Sequence, residues 1–170
     1  MTDTDTRQRT DPVLADFPVR DRGVHLAMFT AGDEIVHHWG RTLGTADNTV
    51  FSTALCNWNP MHLDAEFARA HGHPDVVVNP MLVLCTIIGL SVEDLSESGG
   101  PFLGIEECTF PTPVYPGDTL TARSVVLGVR RSRSRPGTGI VTWRTTGFNQ
   151  RGEVVCEYVR SNLIAERGAP

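Results

Sequence analysis

The longest apolar stretch of the chain, residues 76–95, most constrains how it can fold. Within it, Asn79 is a favourable N-cap and Pro80 suits the first helical position, because the N–H that proline lacks would be unpaired there. A helix is therefore predicted over Pro80–Leu95. Its apolar residues occupy nearly every side: Met81, Leu82, Val83, Leu84, Ile87, Ile88, Leu90 and Val92. Such a helix is expected to be buried, so the remaining elements must wrap around it.

Four strand-like segments follow this helix: 102–110, 119–130, 139–148 and 153–165. One buried helix followed by long antiparallel strands is an α+β pattern, and a strongly curved antiparallel sheet rolled around the helix would bury it. A chain of 170 residues favours a single such domain, predicted over 23–167. Residues 1–22 are predicted to be a disordered tail or a surface arm, and residues 168–170 a second tail.

Shorter elements are predicted before the long helix. Residues 34–43 have the composition of a strand. Asp47 is placed to cap a helix over 48–55, and Asp64 to cap a short helix over 65–70. The first of these helices would bury an apolar face made of Val50, Phe51, Ala54 and Leu55.

Composition and charge exclude several classes of protein. The net charge is −5 and the sequence pI is about 5.6, whereas a nucleic-acid-binding surface would need a basic face. The polar first residues lack the apolar core of a signal peptide, and no apolar run is long and pure enough to span a bilayer. Four well-separated cysteines are interpreted as reduced thiols. We therefore expect a soluble cytoplasmic protein that binds neither nucleic acid nor membranes.

Two pairs of histidines are poorly placed to hold a metal ion. His37 and His38 are adjacent in the predicted strand and would point to opposite faces, one buried and one exposed. His71 and His73 lie on either side of a glycine and are followed by Pro74, so a surface turn is the favoured interpretation. No metal site is predicted.

Candidate chemistry is concentrated just before the long helix. Residues 54–64 read A-L-C-N-W-N-P-M-H-L-D and combine one imidazole, two side-chain amides and a rigid proline. Near neutral pH an imidazole can take a proton from water or deliver one to carbon. His62 is therefore the first candidate for a catalytic acid and base, against the alternative that it only bonds a backbone carbonyl.

Three motifs, in this order, resemble those of the MaoC-like hydratases and dehydratases, which have the hot-dog fold. They are N-P-M-H-L-D at 59–64, F-P-T-P-V-Y-P-G-D-T-L at 110–120 and G-F-N-Q-R-G at 147–152. The resemblance extends from about Gly32 to Leu163. Four further segments resemble the mesaconyl-CoA and itaconyl-CoA hydratases of this family: A-D-N-T-V-F at 46–51, V-N at 78–79, I-G-L-S-V at 88–92 and S-R-P at 134–136.

The resemblance implies an acyl-thioester hydro-lyase that adds water reversibly across the double bond of a 2-enoyl-CoA or of a carrier-protein-bound equivalent. A branched C5 dicarboxylic acyl group is the implied candidate for its substrate. The resemblance also implies a pantetheine tunnel that leads to the base of the central helix, and a homodimer or dimer of dimers joined through the sheets. It implies no metal or redox cofactor, since CoA enters as part of the substrate.

Two positions depart from the family pattern. Asn57 falls where most members carry an aspartate, and a carboxamide cannot accept a proton, so Asn57 would orient water while His62 transfers protons in both directions. Pro80 falls where many members carry a glycine whose N–H donates to the thioester oxygen. Because proline has no N–H, the N–H of Met81 is the expected substitute at the positive end of the helix.

The remaining candidates for substrate binding each have a structural alternative. Asn59 is expected to shape the turn that aims His62. Asn79 would contact the substrate or only cap the helix, and Trp58 would roof the acyl pocket or fill the core.

A cluster of arginines near a strand turn is the candidate for binding CoA phosphates: Arg131, Arg133 and Arg135, beside Arg130. Guanidinium groups bind phosphates well, and the acidic face of a carrier protein would suit them equally. A solvated hairpin turn is the structural alternative.

Other functions of the same fold stay open. A site with Asn57 and Pro80 is compatible with a thioesterase, or with an isomerase or cyclase of a biosynthetic pathway. A third hypothesis is a catalytically silent subunit that binds an acyl chain or pairs with an active homologue. Release of a free thiol would identify hydrolysis, and full activity of the chain alone would exclude the silent subunit.

Overall fold

The structure is a computed structural model that describes residues 23–97 and 100–167 of the chain. Both predicted tails, 1–22 and 168–170, lie outside the described residues. In the described part, a long helix (α3, Pro80–Leu95) packs against an antiparallel sheet, and two shorter helices precede it. The predicted α+β class is confirmed.

The central helix α3 begins and ends where the sequence predicts. Asn79 caps it, because its Oδ1 accepts a hydrogen bond from the Met81 N–H at 3.0 Å, and Pro80 occupies the first position. The buried side of α3 comprises Leu82, Val83, Thr86, Ile87, Leu90, Ser91 and Leu95. An opposite stripe is exposed and comprises Met81, Cys85, Gly89 and Val92. The prediction that the helix is covered on every side is therefore wrong for one chain alone.

Four long strands form the body of the sheet, and their bounds lie within one residue of the prediction: β3 (Phe102–Thr109), β4 (Thr119–Arg131), β5 (Thr138–Phe148) and β6 (Val154–Ala165). The strand predicted over 34–43 is instead two short strands, β1 (Glu34–Val36) and β2 (Arg41–Thr42), which both pair with β4. Among the described strands the order is β1-β4-β5-β6-β3, and every pairing is antiparallel.

A glycine lets the sheet approach α3 closely. A Cβ atom at Gly147 in β5 would lie only 2.5 Å from Cδ1 of Ile87, which is fully buried. Ile87 belongs to a core that also contains Val78, Leu120, Val155 and other buried residues near the start of the helix. A second buried cluster, around Trp143, lies at the other end of α3. The helix is thus held by the sheet along its whole length.

The two shorter helices are capped by acidic residues in different ways. The first, α1, spans Thr45–Ala54, so it begins three residues before the predicted start. Asp47 lies in its first turn rather than at the cap, and its Oδ2 accepts a hydrogen bond from the Gly44 N–H at 2.8 Å. The second, α2 (Ala65–Ala70), is capped by Asp64 as predicted, since Oδ1 accepts from two backbone N–H groups of the first turn.

The buried face of α1 is polar, contrary to the prediction. Its fully buried residues are Asn48 and Ser52. Three residues of the predicted apolar face are exposed: Val50, Ala54 and Leu55. Of the predicted face only Phe51, which is partly buried, packs against the core. A periodicity argument on apolar residues cannot find Asn48 and Ser52, because they contribute hydrogen bonds to the interior.

A buried histidine connects β4, β5 and the end of α3. His37 is 3% exposed, whereas His38 is exposed, as predicted. Nδ1 of His37 lies 2.7 Å from Oδ2 of Asp94, and Nε2 lies 2.8 Å from Oγ of Ser124, which in turn bonds the Thr145 hydroxyl. Burial lowers the pKa of His37, because the charged ring would lose its hydration, although the Asp94 carboxylate acts in the opposite direction.

Acidification is expected to weaken the fold through His37. Because the pKa of His37 is lowered in the folded chain from 6.5, the unfolded chain binds this proton at higher pH than the folded chain does. The stabilising difference is complete above pH 6.5 and is lost as the pH falls towards the folded pKa, by about 1.4 kcal/mol per pH unit at most. Urea unfolding at several pH values between neutrality and mild acid measures this slope.

A matched pair of variants isolates the contribution of His37. His37→Gln removes the titrating ring, so its free energy of unfolding should depend less on pH in this window. His38→Gln makes the same change at the exposed neighbour and should keep the slope of the unmodified chain. Equal slopes in the unmodified chain and in His37→Gln would contradict the interpretation.

Candidate active site

The N-P-M-H motif forms a capped turn that places His62. Residues Pro60–His62 are a short 3-10 helix, and Oδ1 of Asn59 accepts a hydrogen bond from the Met61 N–H at 3.0 Å. Pro60 occupies the first helical position, and the N–H of His62 donates to the Asn59 carbonyl at 3.0 Å. Asn59 thus shapes the turn as the sequence suggested, and His62 ends it with a side chain that is only 7% exposed.

One hydrogen bond fixes the orientation and the tautomer of His62. Its Nδ1 lies 2.8 Å from the carbonyl oxygen of Val77. Because a carbonyl oxygen only accepts, Nδ1 must carry the proton and donate it. In the neutral ring Nε2 is then left without a proton, which makes it the nitrogen that can accept one.

Asn48 is the residue on which this arrangement rests, and the sequence reasoning missed it as part of the site. It is fully buried, and its Nδ2 donates to the carbonyls of His62 at 2.9 Å and of Val77 at 3.3 Å. Its Oδ1 accepts from the backbone N–H of Asn79 at 2.8 Å. The sequence signal for this role is the spacing of two polar residues, Asn48 and Ser52, four positions apart on one face of α1. The Ser52 hydroxyl lies 3.2 Å from Nδ2 of Asn79.

His62 opens onto a cavity of about 320 Å³ at the start of α3. Most of its lining is apolar: Val77, Val78, Pro80, Val83, Phe110, Pro113, Val114 and Val155. The polar lining residues are His62, His73 and Thr112. The structure therefore brings the candidate imidazole and the first residue of the central helix together around one space.

Other predicted site residues lie elsewhere. The Oδ1 of Asn57 accepts a hydrogen bond from the Asn59 N–H at 3.3 Å, and Asn57 is not among the described residues that line the cavity. Trp58 is exposed, so the alternative that it fills the core is wrong. The Met81 N–H donates to the cap residue Asn79, so it is already engaged within the chain.

The second family motif provides one wall of the cavity, and the third motif supports it through hydrogen bonds to Asp118. The carboxylate of Asp118 accepts hydrogen bonds from the Tyr115 N–H at 2.9 Å, from Gln150 Nε2 at 2.7 Å and from Arg151 Nη1 at 3.1 Å. Burial acts to raise the pKa of Asp118, but these bonds prevail and lower it, so the carboxylate stays charged. Nearby, the Val114 carbonyl accepts the N–H of Val78 at 2.8 Å, which joins the wall to the strand-like segment before α3.

His73 is a second imidazole of the cavity that the sequence reasoning placed in a surface turn. The turn is present, with a φ of +86° at Gly72, but His73 is half-buried and lines the cavity. Its Nδ1 lies 2.9 Å from the hydroxyl of Tyr115. No local pattern predicts this contact, because the two residues are 42 positions apart.

The arginine cluster borders a different groove at the β4–β5 hairpin. Arg130, Arg131 and Arg133 line it, and Arg131 also lies 3.2 Å from Glu166. The cavity lies near the start of β4 and the arginines near its end, at opposite ends of a strand of 13 residues that would be roughly 40 Å long if fully extended. The arginine cluster is therefore not part of the cavity beside His62 in this chain.

The described residues contain neither a membrane-spanning helix nor a cluster of metal ligands. None of the helices within 23–97 and 100–167 is long and apolar enough to cross a membrane. In the same part of the chain, no group of three or more His, Cys, Asp or Glu side chains is arranged to hold a metal ion.

Comparison with solved structures defines the class of protein. The chain superposes on the MaoC-like dehydratase from Rhodospirillum rubrum with a TM-score of 0.77 and 28% identity, covering 86% of this chain and 100% of that one. It also superposes, with a TM-score of 0.80 and 23% identity, on a Mycobacterium tuberculosis protein with a double hotdog fold, covering 89% of this chain and 47% of that one. The fold is the hot-dog fold of the MaoC-like proteins, as expected.

The family follows from the sequence. A family model described as mesaconyl-CoA hydratase matches residues 1–170, so the chain belongs to the mesaconyl-CoA hydratase family. It is 36% identical over 158 residues to the mesaconyl-CoA hydratase of Haloarcula marismortui, an alignment that covers 92% of this chain and 44% of that protein. The chain thus spans less than half the length of this relative.

Loss of the Asn48 amide is expected to destabilise the fold. Asn48→Asp keeps the acceptor for Asn79 N–H but turns a carboxylate oxygen towards two carbonyls, in a fully buried position. Unsatisfied buried groups cost about 1–3 kcal/mol each, and more when charged, so the free energy of unfolding should fall by at least about 2 kcal/mol. Chemical unfolding followed by fluorescence measures the difference.

Asn59→Asp is the matched control for this prediction. It makes the same chemical change at an exposed N-cap, where aspartate accepts the Met61 N–H equally well. Its stability should stay within about 0.5 kcal/mol of the unmodified chain. A similar loss of stability in both variants, or no loss in Asn48→Asp, would mean that the buried amide does not hold α1, His62 and residues 77–79 together.

Proposed function

We propose that this chain provides the catalytic site of an acyl-thioester hydro-lyase that hydrates a 2-enoyl-CoA reversibly, with a branched C5 dicarboxylic acyl group as its substrate. The single observation that carries this proposal is the buried His62, anchored through Nδ1 and facing an apolar cavity at the start of α3. Membership of the mesaconyl-CoA hydratase family supports the substrate class.

His62 would transfer protons in both halves of the reaction. In hydration, Nε2 takes a proton from water while the water oxygen bonds to C3 and the electrons of the double bond move towards the thioester carbonyl. The imidazolium then returns this proton to C2, and dehydration follows the reverse path. The Val77 carbonyl accepts the Nδ1–H throughout, so it holds the ring in one orientation during both transfers.

The negative charge that develops on the thioester oxygen needs a donor or a positive potential. Pro80 has no N–H, and the Met81 N–H is engaged by Asn79, so the first turn of α3 contributes mainly its helix dipole. Losing one oxyanion donor typically costs about 3 kcal/mol of transition-state stabilisation. For Met81 to serve as predicted, the Asn79 cap would have to exchange for the substrate.

A second copy of the chain is part of this proposal. The exposed apolar stripe of α3, defined by Met81, Cys85, Gly89 and Val92, is a surface that another chain would cover. The longer relative, about twice the length of this chain, would supply the equivalent cover within one polypeptide. Sedimentation of the purified chain tests this point, since a single-chain mass would contradict it. A cytoplasmic location stays a prediction.

The activity is tested by hydration of mesaconyl-CoA, followed by loss of the enoyl-thioester absorbance. His62→Gln should reduce kcat by about 10²- to 10⁴-fold, because the proton carrier is removed. His71→Gln replaces an exposed histidine outside the cavity and should leave the rate unchanged. A fully active His62→Gln variant would contradict the assigned role.

A catalytically silent acyl-binding subunit is the second candidate function. Asn57 in place of a carboxylate, Pro80, and the engaged N–H of Met81 are the observations that favour it. In that case the chain would bind acyl-CoA without hydrating it and would gain activity only with a homologous partner. A thioesterase would instead release free CoA, which a thiol reagent detects in the same assay.

A further inference from the structure

The cavity beside His62 contains a polar group that the proposed reaction does not use. Its described lining is apolar apart from His62, His73 and Thr112. In the proposed reaction His62 transfers protons at Nε2, while the Val77 carbonyl holds its Nδ1. His73 has no role in that reaction. No arginine is among the described residues of the lining, so the remaining donors for an anionic part of a substrate are the imidazole of His73 and the hydroxyl of Thr112, and of the two only an imidazole can carry a positive charge.

His73 is held in a defined position rather than left on a free loop. The backbone N–H of His73 donates to the Ala68 carbonyl at 3.1 Å, which connects the turn to the end of α2. Its Nδ1 lies 2.9 Å from the Tyr115 hydroxyl, and Tyr115 is itself fixed by the bond from its N–H to Asp118 at 2.9 Å. The motif that provides the cavity wall therefore also orients this second imidazole.

The direction of the hydrogen bond between His73 and Tyr115 determines which ring nitrogen of His73 carries the proton. Burial and the nearby Asp118 charge raise the pKa of Tyr115, so its hydroxyl stays neutral and can either donate to Nδ1 or accept from it. When Tyr115 donates to Nδ1, the ring proton must reside on Nε2. When the imidazole is protonated, both nitrogens donate. In both of these states Nε2–H is available as a donor to an anion, and an anion beside Nε2 favours them over the neutral tautomer in which Nδ1 donates to Tyr115.

We propose that His73, oriented by Tyr115, binds the free carboxylate of the acyl group and so selects dicarboxylic over neutral enoyl thioesters. This inference rests on the proposed hydration of a 2-enoyl-CoA. A carboxylate entering an apolar cavity loses its hydration and needs a hydrogen-bonded partner in return. In a branched C5 dicarboxylic enoyl thioester this carboxylate lies next to the double bond, close to the carbons that His62 must reach.

The test compares two substrates in matched variants. For mesaconyl-CoA, His73→Gln should lower kcat/KM by about 10- to 100-fold, mainly through KM, because a charge-assisted hydrogen bond is lost. For crotonyl-CoA, which has no second carboxylate, the same variant should stay within about twofold of the unmodified chain. Tyr115→Phe should shift the preference in the same direction by a smaller factor, and His71→Gln should change neither substrate.

The outcomes separate this inference from the proposed function. Equal losses for both substrates in His73→Gln would make His73 catalytic or structural in general and would overturn the inference, as would no loss for either. If the unmodified chain hydrates neither substrate, the proposed function fails by itself. Calorimetry with the saturated thioesters succinyl-CoA and butyryl-CoA then decides the inference: a preference for succinyl-CoA that His73→Gln abolishes supports it, and equal affinities overturn it.

Discussion

The side-chain amide of Asn48 is the interaction on which the site depends. It joins α1 to two other segments of the chain, through the carbonyl of His62 in one and the carbonyl of Val77 and the N–H of Asn79 in the other. The bonds to His62 and Asn79 are buried, and a buried group left unpaired would cost about 1–3 kcal/mol. The position of His62 relative to the start of α3 is therefore set by Asn48, a buried residue that is not among the described residues lining the cavity.

The carbonyl oxygen of Val77 connects the buried amide to the candidate catalytic ring. Val77 O accepts from Asn48 Nδ2 and from His62 Nδ1, which uses both of its acceptor positions. This holds the imidazole in one tautomer and directs its basic nitrogen away from the backbone. A sheet curved around α3 provides the fixed frame for these contacts, and Gly147 allows the close approach of β5 to the helix. The same frame carries the wall that orients His73.

Much of the fold could be predicted from local pattern, whereas the interior of the site could not. The cap at Asn79 and the composition of the strand-like segments are encoded within a few residues, so the predicted bounds of α3 and β3–β6 agree with the structure to within one residue. The role of Asn48 depends on partners at positions 62, 77 and 79, and that of His73 on Tyr115. The sequence did not predict that one stripe of α3 is exposed. An apolar pattern does not show whether a helix surface is covered by its own chain or by a second chain.

The protonation pattern of the His62 ring tests the central claim most directly. In protein labelled with ¹⁵N in its histidines, two-bond correlation spectra distinguish a protonated ring nitrogen from an unprotonated one. The account predicts that, in the neutral ring, Nδ1 of His62 carries the proton and Nε2 does not, with the assignment confirmed by its loss in His62→Gln. A spectrum in which Nε2 carries the proton and Nδ1 is free would contradict the Val77 anchor and the proton-transfer role that depends on it.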